Sequence, residues 1–150
     1  MVQQHLSDVY TKFKVHFYRE MFARINSRET SLTTTELFCV EVIYALKEPT
    51  VNEFARYINV SSPNAAYKVN SLIKKGYIEK TQSESDHREY HLRVTKKYHD
   101  YADLSQKYVN LVSERIKEHF SETEIEIFDR ILSEISGELM PEVDIPSVDM

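Results

Sequence analysis

Between Ser61 and Ser71 the chain reads Ser-Ser-Pro-Asn-Ala-Ala-Tyr-Lys-Val-Asn-Ser, a run in which hydrogen-bonding side chains alternate with small or apolar ones. On a helix this pattern leaves an outer face carrying Ser61, Ser62, Asn64, Tyr67, Lys68, Asn70 and Ser71. A polar helix face of this kind fits the major groove of double-stranded DNA, where residues near the helix N-terminus reach base edges. Asn64 is suited to a paired hydrogen bond with adenine, and Lys68 to guanine or to phosphate. Pro63 and Ala65 offer apolar contact to a thymine methyl group, while the serines and Tyr67 suit phosphate oxygens. The plainer alternative, in which Ser62 only caps the helix and Asn64 only faces water, is common in helical proteins.

A second group lies in the polar stretch Ser83 to Arg88, which contains no glycine to tighten it. Arg88 stands at or near the tip of a projecting loop, where a guanidinium can enter the narrow, negative minor groove, and Asp86 is placed to hold it. An exposed ion pair worth about 0–1 kcal/mol is the alternative. The local charge permits such a partner although the whole chain carries −5: residues 61–97 hold eight basic and four acidic side chains, whereas 118–150 hold one basic and ten acidic. Lys74, Lys75, Lys80, Lys96 and Lys97 read as phosphate contacts rather than base readers.

These groups need rigid elements behind them. Leu6, Val9, Tyr10, Phe13, Phe17, Met21 and Ile25 recur at three- and four-residue spacing, which predicts a first helix about six turns long. Thr33 with Glu36 forms a capping box that starts a second helix, apolar on most sides and therefore a core helix. Pro49 ends it, and Thr50 with Glu53 starts a short third. Asn59 suits the left-handed conformation that ends a helix. Ser62 is the expected N-cap of the fourth, Pro63 its first helical residue, and Gly76 its stop. Alternation over 77–82 and 89–94 predicts a hairpin with the 83–88 loop projecting as a wing. Two long helices follow, the second started by Ser121 and Glu124.

Other chemistries find little support. His87, His91 and His99 fall on a wing, a strand and a helix without ligand spacing, so no metal or other cofactor is expected. Cys39 sits among apolar residues and reads as a buried, inert thiol rather than an oxidant sensor. There is no glycine-rich phosphate loop, nucleophile elbow or zinc-protease motif, which argues against an enzyme. No apolar run reaches the roughly 20 residues of a membrane span and no secretion signal precedes the first helix; a soluble cytoplasmic protein without a membrane partner is expected.

The run Leu72-Ile73-Lys74-Lys75-Gly76-Tyr77-Ile78-Glu79-Lys80, followed by Ser83, Asp86, Arg88, Leu92 and Thr95, resembles the exit of the recognition helix and the D-x-R wing of the multiple-antibiotic-resistance regulator (MarR) family. Tyr98, where that family commonly has glycine, and His87, where arginine is common, depart from its pattern. The resemblance implies a mostly α winged helix-turn-helix with a small β-hairpin and with N- and C-terminal dimerisation helices. Residues 1–140 would form one unit, 1–30 and 98–140 its dimerisation helices and 33–97 its DNA-binding lobe; the composition of 141–150, two prolines and three acidic residues without periodicity, separately predicts a disordered acidic tail. The resemblance further implies a homodimeric transcription regulator, by default a repressor, on an inverted-repeat operator. Arg88 takes the minor-groove role and Asp86 the orienting role. A small apolar or aromatic effector would sit between the dimerisation helices and the DNA lobes, with Tyr10, Phe13, Phe17, Phe22, Phe38, Tyr44, Tyr101 and Tyr108 as available lining, though most of these suit helix packing. A winged helix that binds protein rather than specific DNA is the competing expectation.

Overall fold

The computed structural model describes residues 1–26 and 32–143, without the side chains of 25, 26 and 101–105. The apolar positions Ile25 and Leu104, the expected pocket residue Tyr101, positions 27–30 of the first segment and 144–150 of the expected tail lie outside that description. The elements run α1 (Val2–Asn26), α2 (Thr34–Ala45), α3 (Val51–Tyr57), α4 (Ser62–Lys74), β1 (Ile78–Gln82), β2 (Tyr90–Val94), α5 (Lys96–His119) and α6 (Glu122–Glu138).

Local chemistry starts and stops most of these elements. Thr33 and Glu36 close the capping box at α2, with Glu36 N–H donating to Thr33 Oγ1 at 3.2 Å and Thr33 N–H donating to Glu36 Oε2 at 3.0 Å. Ser121 and Glu124 do the same at α6. Each such cap satisfies backbone donors that a helix start would otherwise leave open, for about 1 kcal/mol. At α3 the box is half formed: Glu53 N–H donates to Thr50 Oγ1 at 3.1 Å, and it is the Thr50 hydroxyl, rather than its backbone N–H, that donates to the Glu53 carboxylate. Asn59 (φ 56°) and Gly76 (φ 82°) adopt the left-handed conformation after α3 and α4.

The start of α4 differs from the sequence expectation. Its N-cap is Ser61, whose Oγ accepts from Asn64 N–H at 3.3 Å, so Ser62 is the first helical residue and Pro63 the second. Adjacent serines are equivalent as caps in sequence. They are separated here by a contact ten residues away, because the Ser62 hydroxyl donates to Asn52 Oδ1 of α3 at 3.1 Å.

The core gathers where α2, α3 and α4 meet the hairpin. Val40, Phe54, Ala65, Val69, Leu72, Tyr77, Leu92 and Tyr98 lose all contact with solvent, and full burial of valine, leucine and phenylalanine side chains contributes about 1.5–3 kcal/mol each. Strands β1 and β2 pair antiparallel with Ile78 opposite Val94 and Gln82 opposite Tyr90. The hairpin is fastened to the body by a feature that local sequence patterns do not announce. Lys47 and Glu48 take successive positive φ angles of 50° and 54° ahead of Pro49, at roughly 1–2 kcal/mol each for residues bearing a Cβ. That turn carries the chain alongside β2. There Leu92 N–H donates to the Pro49 carbonyl at 2.8 Å, His91 Nδ1 to the Glu48 carbonyl at 2.8 Å, and Arg93 Nε to Glu48 Oε1 at 2.6 Å. Thr50 and His91 form an isolated antiparallel bridge.

Helix α1 gives Met21 and α5 gives Tyr98 to this core, and beyond it the two helices pack together, with the Tyr108 ring stacked on His16 at 3.8 Å between centroids and edge-on to Phe13 at 5.5 Å. Phe13 and Tyr108 thus serve helix packing. Large apolar side chains remain uncovered on α1, α5 and α6, among them Leu6 (59% exposed), Tyr10, Leu111, Phe128, Ile131 and Leu132 (47%). Among the described residues, no helix is long and apolar enough to cross a membrane.

Candidate nucleic-acid interface

Helix α4 buries Ala65, Val69 and Leu72 and turns its opposite side outward. Asn64, Tyr67 (77% exposed) and Asn70 lie on the exposed side together with Pro63. The side chains of Asn64, Tyr67 and Asn70 make no hydrogen bond within the described residues, so their donors and acceptors are free for another molecule. Lys68 is half-buried at the flank toward α2, close enough to Cys39 to pull its thiol pKa down, although burial dominates and raises it. Cys39 is a buried free thiol.

Several polar residues expected on the outer face are spent internally. Ser61 caps, Ser62 ties α4 to α3, and the half-buried Ser71 donates its hydroxyl to Glu36 Oε1 at 2.7 Å. Lys75, expected as a phosphate contact, places Nζ 2.6 Å from Glu36 Oε2. Lys97 Nζ donates to the Lys75 carbonyl at 2.9 Å and lies 4.4 Å above the Tyr77 ring. A lysine near a helix C-terminus is drawn to unpaired carbonyls, which accounts for the exposed Lys97 reaching back to the end of α4. Lys74, Lys80 and Lys96 remain exposed.

Glu36 thus joins two helices, a role its place in a capping box does not reveal. Burial penalises its charge, yet hydrogen bonds from Lys75, the Thr33 backbone and Ser71, with the Lys75 charge, outweigh that penalty and hold the carboxyl at about 2. Asn52, Glu36 and Glu48 are the supporting residues that sequence reasoning missed. Their partners lie 10, 35 to 39 and 43 to 45 residues away, beyond the reach of any local motif.

The wing tip matches the expected arrangement. Asp86 Oδ1 accepts from Arg88 N–H at 3.0 Å and from Arg88 Nε at 3.3 Å, while the Arg88 side chain stays 92% exposed. The loop base is closed by Ser83 N–H donating to the Glu89 carbonyl at 2.9 Å, with Ser83 itself buried. The geometry leaves a guanidinium projected into solvent from a base fixed by hydrogen bonds. Because β1 packs against α4, the wing and the exposed side of α4 belong to one lobe.

An apolar cleft of about 280 Å³ opens between α1 and α2, lined by Phe17, Tyr18, Met21, Phe22, Thr34, Leu37 and Phe38. Phe17, Phe22 and Phe38 of the expected pocket set meet there. Tyr44 lies at a separate cleft beside Lys47 and Arg93, and Tyr10 is exposed on α1. Among the described residues, no group of three or more His, Cys, Asp or Glu side chains is placed to hold a metal ion.

Residues 32–90 match the MarR family model. Among solved structures, FabT of Streptococcus pneumoniae, determined in complex with DNA, is 26% identical and superimposes with a TM-score of 0.60 over 92% of this chain and 94% of its own. The transcriptional regulator Tm0710 of Thermotoga maritima (20% identity, TM-score 0.61, 91% and 92% covered) and a MarR family protein of Bacillus stearothermophilus (16%, 0.63, 92% and 92%) share the fold. None of the curated proteins matches the chain in sequence. Residues 32–90 thus resemble the MarR family's winged helix-turn-helix domain, and the chain has the fold of solved members of that family.

Proposed function

We propose that the chain is a sequence-specific reader of double-stranded DNA that regulates transcription, acting by binding rather than catalysis. The observation that carries this reading is the contrast along α4: Ser61, Ser62, Ser71 and Lys75 are engaged within the protein, while Asn64, Tyr67 and Asn70 stand exposed and unengaged. In this reading α4 is the recognition helix in the major groove, with Asn64 and Lys68 at base edges and Tyr67 and Asn70 at the groove wall. Pro63 supplies apolar contact. Arg88 enters the flanking minor groove, oriented by Asp86. The complex of FabT with DNA, across nearly the whole length of both chains, supports it.

The uncovered apolar faces of α1, α5 and α6 support a homodimer, since contiguous apolar surface of this kind marks association. Residues 1–30 and 98–140 would form its interface and 33–97 each DNA-binding lobe, with 141–150 an appended tail. Two-fold symmetry sets the recognition helices about 34–36 Å apart, one turn of DNA, so the operator is an inverted repeat. Occlusion of a promoter makes the protein a repressor. A small apolar or aromatic effector fits the α1–α2 cleft, and it releases DNA by binding the non-operator arrangement more tightly.

The test is selection of bound sites from a random duplex library by the wild-type protein, Asn64→Ala and Arg88→Ala. Asn64→Ala should lose discrimination at one base position per half-site, and Arg88→Ala should lose preference for narrow-groove flanks. Unchanged preferences in both variants remove the residue assignments. Weak duplex binding without a steep salt dependence would point instead to a winged helix that recognises protein.

A further inference from the structure

The carboxylate of Glu36 is the meeting point of two helices. It lies in the first turn of α2, with its side chain only 15% exposed, and holds Ser71 Oγ at 2.7 Å through Oε1 and Lys75 Nζ at 2.6 Å through Oε2. Ser71 and Lys75 are four residues apart and therefore share one face at the C-terminal end of α4. A carboxylate that receives one hydrogen bond from each of two successive turns fixes a helix in rotation as well as in position. Both bonds are charge-assisted, and the one from Lys75, in which both partners are charged, is the stronger.

The same end of α4 is gripped from the other side. Lys97 Nζ, in the first turn of α5, reaches the Lys75 carbonyl, and Thr95 Oγ1, at the N-cap of that helix, donates to the Gly76 carbonyl at 2.6 Å. Lys75 is thereby bound through its side chain to α2 and through its backbone to α5. The exposed row Pro63, Asn64, Tyr67 and Asn70 begins at the other end of α4, so a change of angle about the clamped end moves Pro63 and Asn64 more than Tyr67 and Asn70.

We infer that Glu36 is a positioning residue for DNA reading: by holding Ser71 and Lys75 it sets the rotation and tilt at which α4 presents Asn64 and its neighbours to the base edges. This rests on the DNA-reading function proposed above. Glu36 itself touches no DNA and acts only through α4. Because the carboxyl is held at about 2, the clamp stays charged throughout the pH range of a binding assay.

Glu36→Gln separates this role from a merely structural one. The amide oxygen in the Oε2 position still accepts from Thr33 N–H and the amide NH2 can donate to Ser71 Oγ, so the start of α2 is kept while the charge facing Lys75 is removed. Thr33→Ala is the matched control, removing the cap while leaving the clamp. The measurement is the ratio of affinities for the selected duplex and for one with scrambled half-sites, with the salt slope and melting temperature beside it. Glu36→Gln should lower the ratio about tenfold, the discrimination that one well-placed base-edge hydrogen-bond pair supplies, with the salt slope unchanged. Lys75→Met should do the same, and the double variant should fall no further than either single one, since both remove one interaction. Thr33→Ala should lower the melting temperature and leave the ratio as it was. A ratio unchanged in Glu36→Gln, or lowered equally by Thr33→Ala, overturns the inference.

Amide exchange read across 71–76 keeps the clamp itself testable apart from DNA. Should the wild-type protein show no sequence preference, the DNA-reading proposal fails, and with it the role of Glu36 in reading. Faster exchange across 71–76 in Glu36→Gln than in Thr33→Ala then still supports Glu36 as the anchor of α4, and equal exchange overturns it.

Discussion

Tyr98→Phe is predicted to destabilise the protein by an amount that grows with pH. Tyr98 is fully buried at the start of α5, and its hydroxyl donates to Glu41 Oε1 of α2, with the Tyr44 ring 5.6 Å away. Burial pushes the Glu41 carboxyl above its ordinary value, and the Tyr98 hydrogen bond only partly counters this. The tyrosine itself is pushed up, by burial first and then by the Glu41 charge. For an acid whose pKa is raised in the folded state, the native protein binds more protons than the unfolded chain once pH exceeds the unfolded value. Stability therefore falls with rising pH until the folded value is passed. Tyr98→Phe removes the one hydrogen bond that favours the charged form, so the folded pKa of Glu41 rises further and the decline continues to higher pH. A hydrogen bond to a charged group is worth about 1.5–3 kcal/mol and a neutral one about 0.5–1.5 kcal/mol. The expected loss is thus about 1 kcal/mol at an acidic pH where Glu41 is protonated and about 2 kcal/mol at an alkaline pH where it is charged. For a chain of this length the larger value lowers Tm by about 4–8 °C. The assay is urea denaturation at both pH values and one fixed protein concentration, with Glu41→Gln as the control that lacks the titrating group. Equal losses at the two pH values, or none, would refute the reasoning.

Three further outcomes follow from single features. Gly76→Ala forces a Cβ into a φ of 82°, with only Lys97 Cδ nearby at 3.9 Å, so backbone strain of about 1–2 kcal/mol rather than a clash should lower Tm by a few degrees; an unchanged Tm contradicts this. Cys39 is buried and its thiol pKa is raised, so a thiol reagent should label it at the rate of opening and not faster with more reagent; rapid saturable labelling of the native protein would show an accessible, reactive thiol instead. Ile131→Lys places a charge on the uncovered face of α6 and should shift the protein from dimer to monomer in size-exclusion chromatography with light scattering. A wild-type protein already monomeric at micromolar concentration would overturn the proposed assembly.

Features carried by residues within about four positions of one another were legible in the sequence. The Thr33–Glu36 and Ser121–Glu124 boxes, the left-handed Asn59 and Gly76, and the Asp86–Arg88 pairing all stand where local chemistry puts them. The strand boundaries shifted by one residue only, because alternation marks a strand's middle better than its ends. Features that depend on distant partners were not legible. Ser61 and Ser62 are equivalent caps until Asn52 claims one of them. Lys75 and Lys97 look like solvent-facing cations until Glu36 and the Lys75 carbonyl are brought beside them. The left-handed pair Lys47 and Glu48 has no residue-type signature and is held by bonds to β2 more than 40 residues on. The candidate residues accordingly fall on the helix and the loop that the sequence assigned to them. Which of its polar side chains are free to meet another molecule became visible only with the fold.

That two copies of α4 read one inverted repeat is tested most directly by footprinting the wild-type protein on a duplex from the site selection. Guanine methylation should be blocked at two symmetric major-groove positions whose centres lie about 10–10.5 base pairs apart, with backbone protection in the flanking minor grooves where Arg88 enters. Protection of a single half-site, an unsymmetrical pattern, or full methylation of every guanine under the bound protein would contradict a symmetric pair of reading helices.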